Sequence, residues 1–281
     1  VGHKTLAEVY EKEEKYSLAV DEYIRATEIN NKDIKLNYNI ARLLNKTQRS
    51  EEAITVLQDI LKKNPEYYEA TNLLGEVLCE NERYKEAINV YMNALRYNPG
   101  NYDLYYNLGI VFTMTNDFQR AKEFYAKAAE INSLLYNAKL SIGQIALIAG
   151  DLDEAEQYFK ESLNGEDVEA GSYYYLSQVA MLKGDKEKAT NYMNIAVELD
   201  PKIYKKAQKE TVFTPIKNEI KKPEKEQAEE KKQTKLLLKE RKALNHLSKT
   251  CSLISELNND DIKMMKSLKE KENEKNEKQR G

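Results

Sequence analysis

The chain has 281 residues, 32% of them charged, and a formal net charge of −3 at pH 7, which is enough polypeptide for a sizeable buried core. Its two cysteines and two histidines have neither the number nor the spacing of a disulfide framework or a zinc site. No run of 18 apolar residues predicts a membrane span, and no nucleotide-binding or nucleophile motif is present.

A regular sequence period organises the chain from its first residue to residue 203. Alanine marks this period at Ala19, Ala53, Ala87, Ala121, Ala155 and Ala189, whose numbers differ by 34 from one to the next. Leucine and isoleucine share it at Leu6, Ile40, Leu74, Leu108, Ile142 and Leu176. Six copies without an insertion indicate a stack of identical units, each of which buries its apolar face against its neighbours.

Each copy is predicted to form two helices joined by a short turn. In the third copy, apolar residues recur at helical spacing through residues 73–78, stop at Asn81 and resume at Ala87. Pro99 closes the copy, because proline lacks a backbone donor and disfavours helix just before it. The small residues Gly75 and Ala87 predict a close approach of the two helix backbones. In later copies the turn is predicted at Gly150-Asp151 and Gly184-Asp185.

The pattern resembles the tetratricopeptide repeat family, whose unit has the same length and combines leucine, small residues, aromatic residues and a late proline. The third copy matches it with Leu74, Gly75, Leu78, Ala87, Tyr91, Ala94 and Pro99. The family's tryptophan has no counterpart, since the chain contains none. The resemblance covers residues 1–203 and implies an all-α fold, a right-handed α-solenoid of helix-turn-helix repeats. The fold class that we predict adds a C-terminal helical appendage to this solenoid.

In this family the first helix of each repeat lines the concave surface, where ligands usually lie. The resemblance therefore implies a partner-binding groove along the first helices of the copies, from Lys4 and Glu8 in the first copy onward. Its N-terminal half is mostly charged and polar, and its C-terminal half is mostly apolar. The candidate groove residues are Lys35, Tyr38, Arg42, Glu69, Asn72, Glu76, Tyr106, Ile110, Met114, Leu140, Gln144, Tyr174, Gln178 and Met181.

Beyond residue 203 the repeat pattern stops. Tyr204, Ala207 and Phe213 predict a helix that caps the last copy, and Thr214-Pro215 predicts the start of a short helix at 216–220. A charged stretch without apolar residues follows and is typical of a linker. We expect six repeats at 1–203, the capping helix and short helix at 204–222, a charged linker at 223–233, an amphipathic helical tail at 234–269 and a disordered end at 270–281.

The tail carries an apolar stripe with the heptad character of a coiled coil, formed by Leu237, Leu244, Leu247, Cys251 and Ile254. So short a segment has little core of its own, so we expect the stripe to dock on the same chain, to form a homodimer or to bind a partner. Charge favours docking: residues 1–203 hold 23 Lys and Arg against 33 Asp and Glu, a net −10, while residues 204–281 hold 21 against 14, a net +7.

The sequence favours a non-enzymatic scaffold that binds a peptide or helix segment of a protein partner in the groove. We expect no catalytic residues, no cofactor and no metal ion. Nucleic acid and membrane are not expected as partners, because lysine alternates with glutamate in the tail and no aromatic residue follows Phe213. The alternative is the regulatory repeat domain of a larger enzyme or signalling protein, since the chain begins at Val1 inside the first predicted helix. We expect a cytoplasmic location, because no signal peptide is visible.

Overall fold

In the computed structural model the chain divides into two units, Val1–Ile220 and Lys221–Gly281. The structure describes residues 2–30, 33–224, 226–229, 232–233, 235–236, 263–264 and 267. All regular secondary structure among these residues is helical, and none of them lies in a strand. The predicted all-α fold is therefore confirmed.

Six helix pairs build the first unit, and we call the first helix of each pair the A helix and the second the B helix. The A helices are α1 Gly2–Lys12, α3 Ile34–Lys46, α5 Tyr68–Glu80, α7 Tyr102–Met114, α9 Tyr136–Ala149 and α11 Glu169–Leu182. The B helices are α2 Tyr16–Ile29, α4 Ser50–Lys63, α6 Tyr84–Tyr97, α8 Phe118–Ile131, α10 Leu152–Ser162 and α12 Lys186–Leu199. The starts of the B helices follow the alanine period without a shift, and each helix packs on the next along the chain.

The turn inside each pair has the same backbone geometry in all six copies. A residue with φ between 58° and 83° lies at its centre, at Glu14, Gln48, Glu82, Asn116, Gly150 and Gly184. The following residue donates its N–H to a carbonyl five positions earlier, for example Arg83 to Leu78 at 2.8 Å and Asp151 to Ala146 at 2.9 Å. This hydrogen bond ends a helix that is followed by a left-handed residue. The turns predicted at Gly150 and Gly184 are confirmed.

Small residues allow the two helices of a pair to touch. The six alanines that mark the sequence period are all fully buried. A Cβ added at Gly75 would lie 2.1 Å from the ring of Tyr91, and one added at Gly109 would lie 2.6 Å from the ring of Tyr125. Both distances are far inside van der Waals contact, so a larger side chain would force the pair apart.

A short non-repeating segment follows the sixth pair and consists of α13, Lys202–Lys209, and a 3₁₀ helix, Thr211–Ile216. Phe213 and Ile216 are fully buried in the cluster formed with α11 and α12. The short helix predicted at 216–220 is wrong, because Pro215 lies inside the 3₁₀ helix and residues 217–219 form a turn. The φ of proline fits a 3₁₀ helix, and Phe213 is buried within the same helix.

The turn geometry predicts opposite effects for two substitutions at equivalent positions. Glu82 has φ 58° and Gly150 has φ 82°. Glu82→Gly should stabilise the protein by about 0.5–1 kcal/mol, because it relieves a left-handed conformation that costs a non-glycine residue about 1–2 kcal/mol. Gly150→Ala should destabilise it by about 1–2 kcal/mol. Chemical denaturation measures both, and a shift of the same sign in the two variants would contradict this account.

Because the alanines that mark the sequence period are buried, replacing one of them with a larger residue should lower the stability of the protein. Ala87→Leu places three extra carbons between α5 and α6, so it should lower the free energy of unfolding by about 1–3 kcal/mol. Ala126→Leu is the matched control, because Ala126 is exposed on α8 and should change the stability by less than about 0.5 kcal/mol. Equal melting curves for the two variants would show that the helices of a pair are not in close contact.

Candidate functional site

The candidate groove residues lie on five successive A helices and differ widely in exposure. Tyr174 is buried, whereas the other thirteen are at least partly accessible. Four are exposed, namely Lys35, Glu69, Glu76 and Met114. Nine are half-buried, namely Tyr38, Arg42, Asn72, Tyr106, Ile110, Leu140, Gln144, Gln178 and Met181.

In the first part of this face, Arg42 and Tyr38 contact neighbouring side chains of the same protein. Arg42 on α3 donates a hydrogen bond to the carboxylate of Glu11 on α1. The ring of Tyr38 meets that of Tyr67 edge-on, with 5.9 Å between centroids, and burial raises the pKa of Tyr38. One side of the Arg42 guanidinium is therefore already used in a contact between α3 and α1.

A cavity of about 550 Å³ lies between α5 and α7 and brings together four of the candidate residues. Asn72 and Glu76 line it from α5, and Ile110 and Met114 line it from α7. We call it the A-helix cavity; its remaining lining residues are Cys79, Glu80, Tyr91, Asn107 and Val111. It combines an apolar floor with carboxylates and amides, which suits a side chain that has an apolar stem and a polar or cationic end.

The polar groups of the A-helix cavity are tied to neighbouring helices. Asn107 donates to the side-chain oxygen of Asn72 at 3.0 Å, which joins α7 to α5. Asn45 on α3 donates to Glu80 at 3.0 Å. These bonds fix two walls of the cavity, while Glu76 is exposed and forms no hydrogen bond with another described side chain. Of the two carboxylates that line the cavity, Glu80 therefore has a side-chain partner among the described residues and Glu76 does not.

Cys79 in the A-helix cavity has no reactive character. Burial, followed by the charges of Glu76 and Glu80, raises the pKa of its thiol to about 11. At neutral pH the thiol is therefore protonated, whereas a nucleophilic or metal-binding cysteine needs the thiolate. In this cavity Cys79 acts as a small apolar wall residue.

The prediction that Tyr174 belongs to the groove needs correction, because its side chain is buried and does not line an open surface. It is 2% exposed, its ring lies 5.6 Å from that of Phe213, and the Lys206 ammonium lies 4.0 Å above it. Burial, together with a hydrogen bond to Glu210, raises its pKa. The segment after the sixth pair therefore covers α11 at this position.

The candidate residues chosen from the sequence leave out several residues of the A-helix cavity. Asn107, Val111 and Tyr91 were absent from the candidates because they point sideways, between neighbouring helices. The sequence feature that could have indicated Tyr91 is the close helix packing that the period predicts, since Tyr91 lies opposite Gly75.

The predicted interaction face of the tail cannot be compared with the structure. Its residues Leu237, Leu244, Leu247, Cys251 and Ile254 lie outside the described residues.

Family models match the helix pairs along most of the first unit. A TPR repeat model matches residues 75–115, and two tetratricopeptide repeat models match residues 38–92 and residues 102–133, 136–164 and 170–203. Together they span more than half of the chain. The chain belongs to the tetratricopeptide repeat family. The α-solenoid fold is confirmed, and membership supports a general role as a protein-interaction scaffold, typically a non-enzymatic one.

Solved structures of low sequence identity share the fold of this chain. The structure of Pseudomonas aeruginosa pilF is 20% identical, with a TM-score of 0.57 over 71% of this chain and 91% of that one. A MamA structure is 20% identical, with a TM-score of 0.52 over 61% and 94%. YrrB, described as a TPR protein with an unusual peptide-binding site, is 27% identical, with a TM-score of 0.49 over 64% and 92%. No curated protein matches the chain significantly.

Two other kinds of site are not found in the described part of this tetratricopeptide repeat chain. No group of three His, Cys, Asp or Glu side chains there is placed to hold a metal ion. No helix among the same residues is long and apolar enough to cross a membrane.

The packing of Phe213 against Tyr174 predicts that removing the Phe213 ring destabilises the protein only near its sixth helix pair. Phe213→Ala should weaken the packing of the terminal segment by about 3–5 kcal/mol, because it empties a fully buried site. Amide exchange should then rise in α11 and α12 and stay unchanged in α1–α4, since each repeat contacts only its neighbours. Val212→Ala is the control, because Val212 is only half-buried. An equal rise in all helices would contradict a local cover.

Proposed function

We propose that the chain is a scaffold that captures an extended protein segment along its A helices, with the A-helix cavity as the main anchor point. The observation that supports this most is the gathering of Asn72, Glu76, Ile110 and Met114 around one cavity of about 550 Å³. This volume falls in the range of about 300–1,000 Å³ that is usual for ligand sites.

The two ends of the A-helix face differ in character and indicate the kind of segment that fits. Towards α5, the carboxylates of Glu69 and Glu76 are exposed, and Glu80 lies at the end of the helix, exposed as well. Towards α11, apolar side chains are exposed at the ends of three A helices, with Met114 at 50%, Ile148 at 63% and Leu182 at 52%. These three residues occupy the same position in successive repeats, so they form one row along the stack, which we call the apolar ridge.

A segment with a basic residue at one end and apolar residues at the other matches this face. The basic side chain would meet Glu76 and Glu80, and the apolar side chains would lie on the apolar ridge. From α5 to α11 there are three intervals between A helices, each of about 9–10 Å. An extended chain covers this distance with about nine residues, at about 3.3 Å per residue.

Peptide binding tests the proposal directly. The probe is a fluorescent nine-residue peptide with two arginines at one end and three leucines towards the other, and its anisotropy is followed during titration. Glu76→Gln and Met114→Ala should each weaken binding by about tenfold, because each removes a central contact of about 1.4 kcal/mol. Both residues are exposed, so circular dichroism should be unchanged.

Leu18→Ala is the matched control for Met114→Ala. Leu18 is exposed to 47%, but it lies on α2, a B helix, so its removal should leave the affinity for this peptide unchanged. Equal losses in the two variants, or none in either, would contradict capture along the A helices.

The chain's own C-terminal part is one segment with the expected basic charge. Residues 204–281 carry a net +7 against −10 for residues 1–203, and this charge supports the expected self-docking, with homodimerisation as the other outcome. Both stay predictions, because the apolar stripe of the tail lies outside the described residues. Light scattering of the full chain at low and high salt separates them, since only the homodimer doubles the mass.

A further inference from the structure

A second cleft of about 550 Å³ lies on the opposite side of the repeats, between the B helices α4 and α6. Thr71 and Leu74 of α5 form its floor. A smaller cleft of about 170 Å³ continues from it and shares Pro65, Thr71 and Ala94 with it. We call the two together the B-helix cleft. It is separate from the A-helix cavity, because residues 71 and 74 lie on another side of α5 than residues 72, 76 and 79.

Two positions of the repeat that line the B-helix cleft carry smaller side chains here than in the next repeat. Thr71 and Val90 line it, and Tyr105 and Phe124 occupy the same positions in the next repeat. There the two rings stack, with 6.3 Å between their centroids, and Phe124 also stacks on Phe112 at 5.2 Å. In the next repeat, therefore, a pair of aromatic rings fills the space that is left open beside Thr71 and Val90 in this repeat.

The charge beside the B-helix cleft also departs from the repeat. Lys62 and Arg96 line the cleft from α4 and α6, and both are exposed. The same repeat position is acidic in three other copies, at Glu28, Glu130 and Glu198. Among the described residues neither Lys62 nor Arg96 forms a salt bridge with a carboxylate. Glu66 is the carboxylate that lines the smaller part of the cleft.

The remaining polar groups of the cleft are side-chain amides. Gln58 on α4 and Asn89 and Asn93 on α6 line it. A side-chain amide offers both donors and an acceptor, so it pairs well with the N–H and C=O groups of an extended peptide. The cleft thus presents an apolar floor for a ring, amides for a backbone and two cations for acidic groups.

We propose that the B-helix cleft binds an acidic protein segment, with an aromatic side chain of that segment in the space above Thr71 and Val90. The aromatic side chain would replace the ring pair that the next repeat supplies from within, and carboxylates beside it would pair with Lys62 and Arg96. Charge complementarity decides for an acidic partner, because these two cations have no carboxylate paired with them in the described part of the chain.

The test uses a fluorescent decapeptide with one phenylalanine between four glutamates, and it follows anisotropy on titration with the full chain. Lys62→Glu should weaken binding by about tenfold, and Lys63→Glu, the control with the same charge change next to it, by much less. Binding should also weaken as salt rises, because the ion pairs are exposed. A peptide with alanine in place of phenylalanine should bind about tenfold more weakly.

Filling the cleft tests the cavity itself. Val90→Phe copies the residue of the next repeat, so it should abolish binding of the decapeptide while circular dichroism and the melting temperature stay close to those of the unchanged chain. Arg96→Glu is the second variant and should also weaken binding; Arg96 is exposed at the rim of the cleft, so its replacement reverses a charge without filling the cleft and tests the proposal even where Val90→Phe unfolds the repeat. Met114→Ala, on the opposite side, should leave decapeptide binding unchanged.

Three results would overturn the proposal. The first is equal binding of the phenylalanine and alanine peptides, which would leave charge alone as the cause. The second is an equal effect of Lys62→Glu and Lys63→Glu, which would mean that the cleft is not the site. The third is a doubled mass of the unchanged chain in light scattering, together with a single mass for Val90→Phe. This result would mean that a second copy of the chain occupies the cleft.

Discussion

The close contact between the two helices of each pair is the constraint on which the rest of the structure depends. An alanine of the B helix is buried without residual exposure in all six copies, and in the third to fifth copies a glycine of the A helix faces an aromatic ring. The ring occupies the volume that a Cβ would need, so the helix separation is set by the ring itself. Because a buried alanine of the B helix recurs once in every repeat, the pairs stack in register.

This repetition explains which parts of the fold could be predicted. The period alone predicts the helix starts, and every B helix begins one full period after the last. It also predicts the turns, although only Gly150 and Gly184 signalled the left-handed residue. Glu82 and Asn116 adopt it without glycine, in a turn closed by the same hydrogen bond. The segment after Ile203 could not be predicted as well, since it has no second copy to reveal its period.

The candidate site could be predicted only in part, for a related reason. The A-helix positions followed from the resemblance, and Asn72, Glu76, Ile110 and Met114 do line one cavity. The burial of Tyr174 did not follow, because it depends on Phe213, which lies outside the repeats. Cavities in a repeat protein arise where one copy differs in volume from the next. Only a comparison of copies, such as Val90 with Phe124, makes such a difference visible in sequence.

The helix α5 takes part in both proposed sites, and its packing limits how they influence each other. Gly75 of α5 is in close contact with the ring of Tyr91 on α6. We therefore expect a ligand between α5 and α7 to move the α5–α6 pair as a body against its neighbours rather than α5 alone. Such a movement would change the gap between α4 and α6, where the B-helix cleft lies. Coupling between the two faces thus requires two arrangements of a whole repeat, and without them the two ligands bind independently.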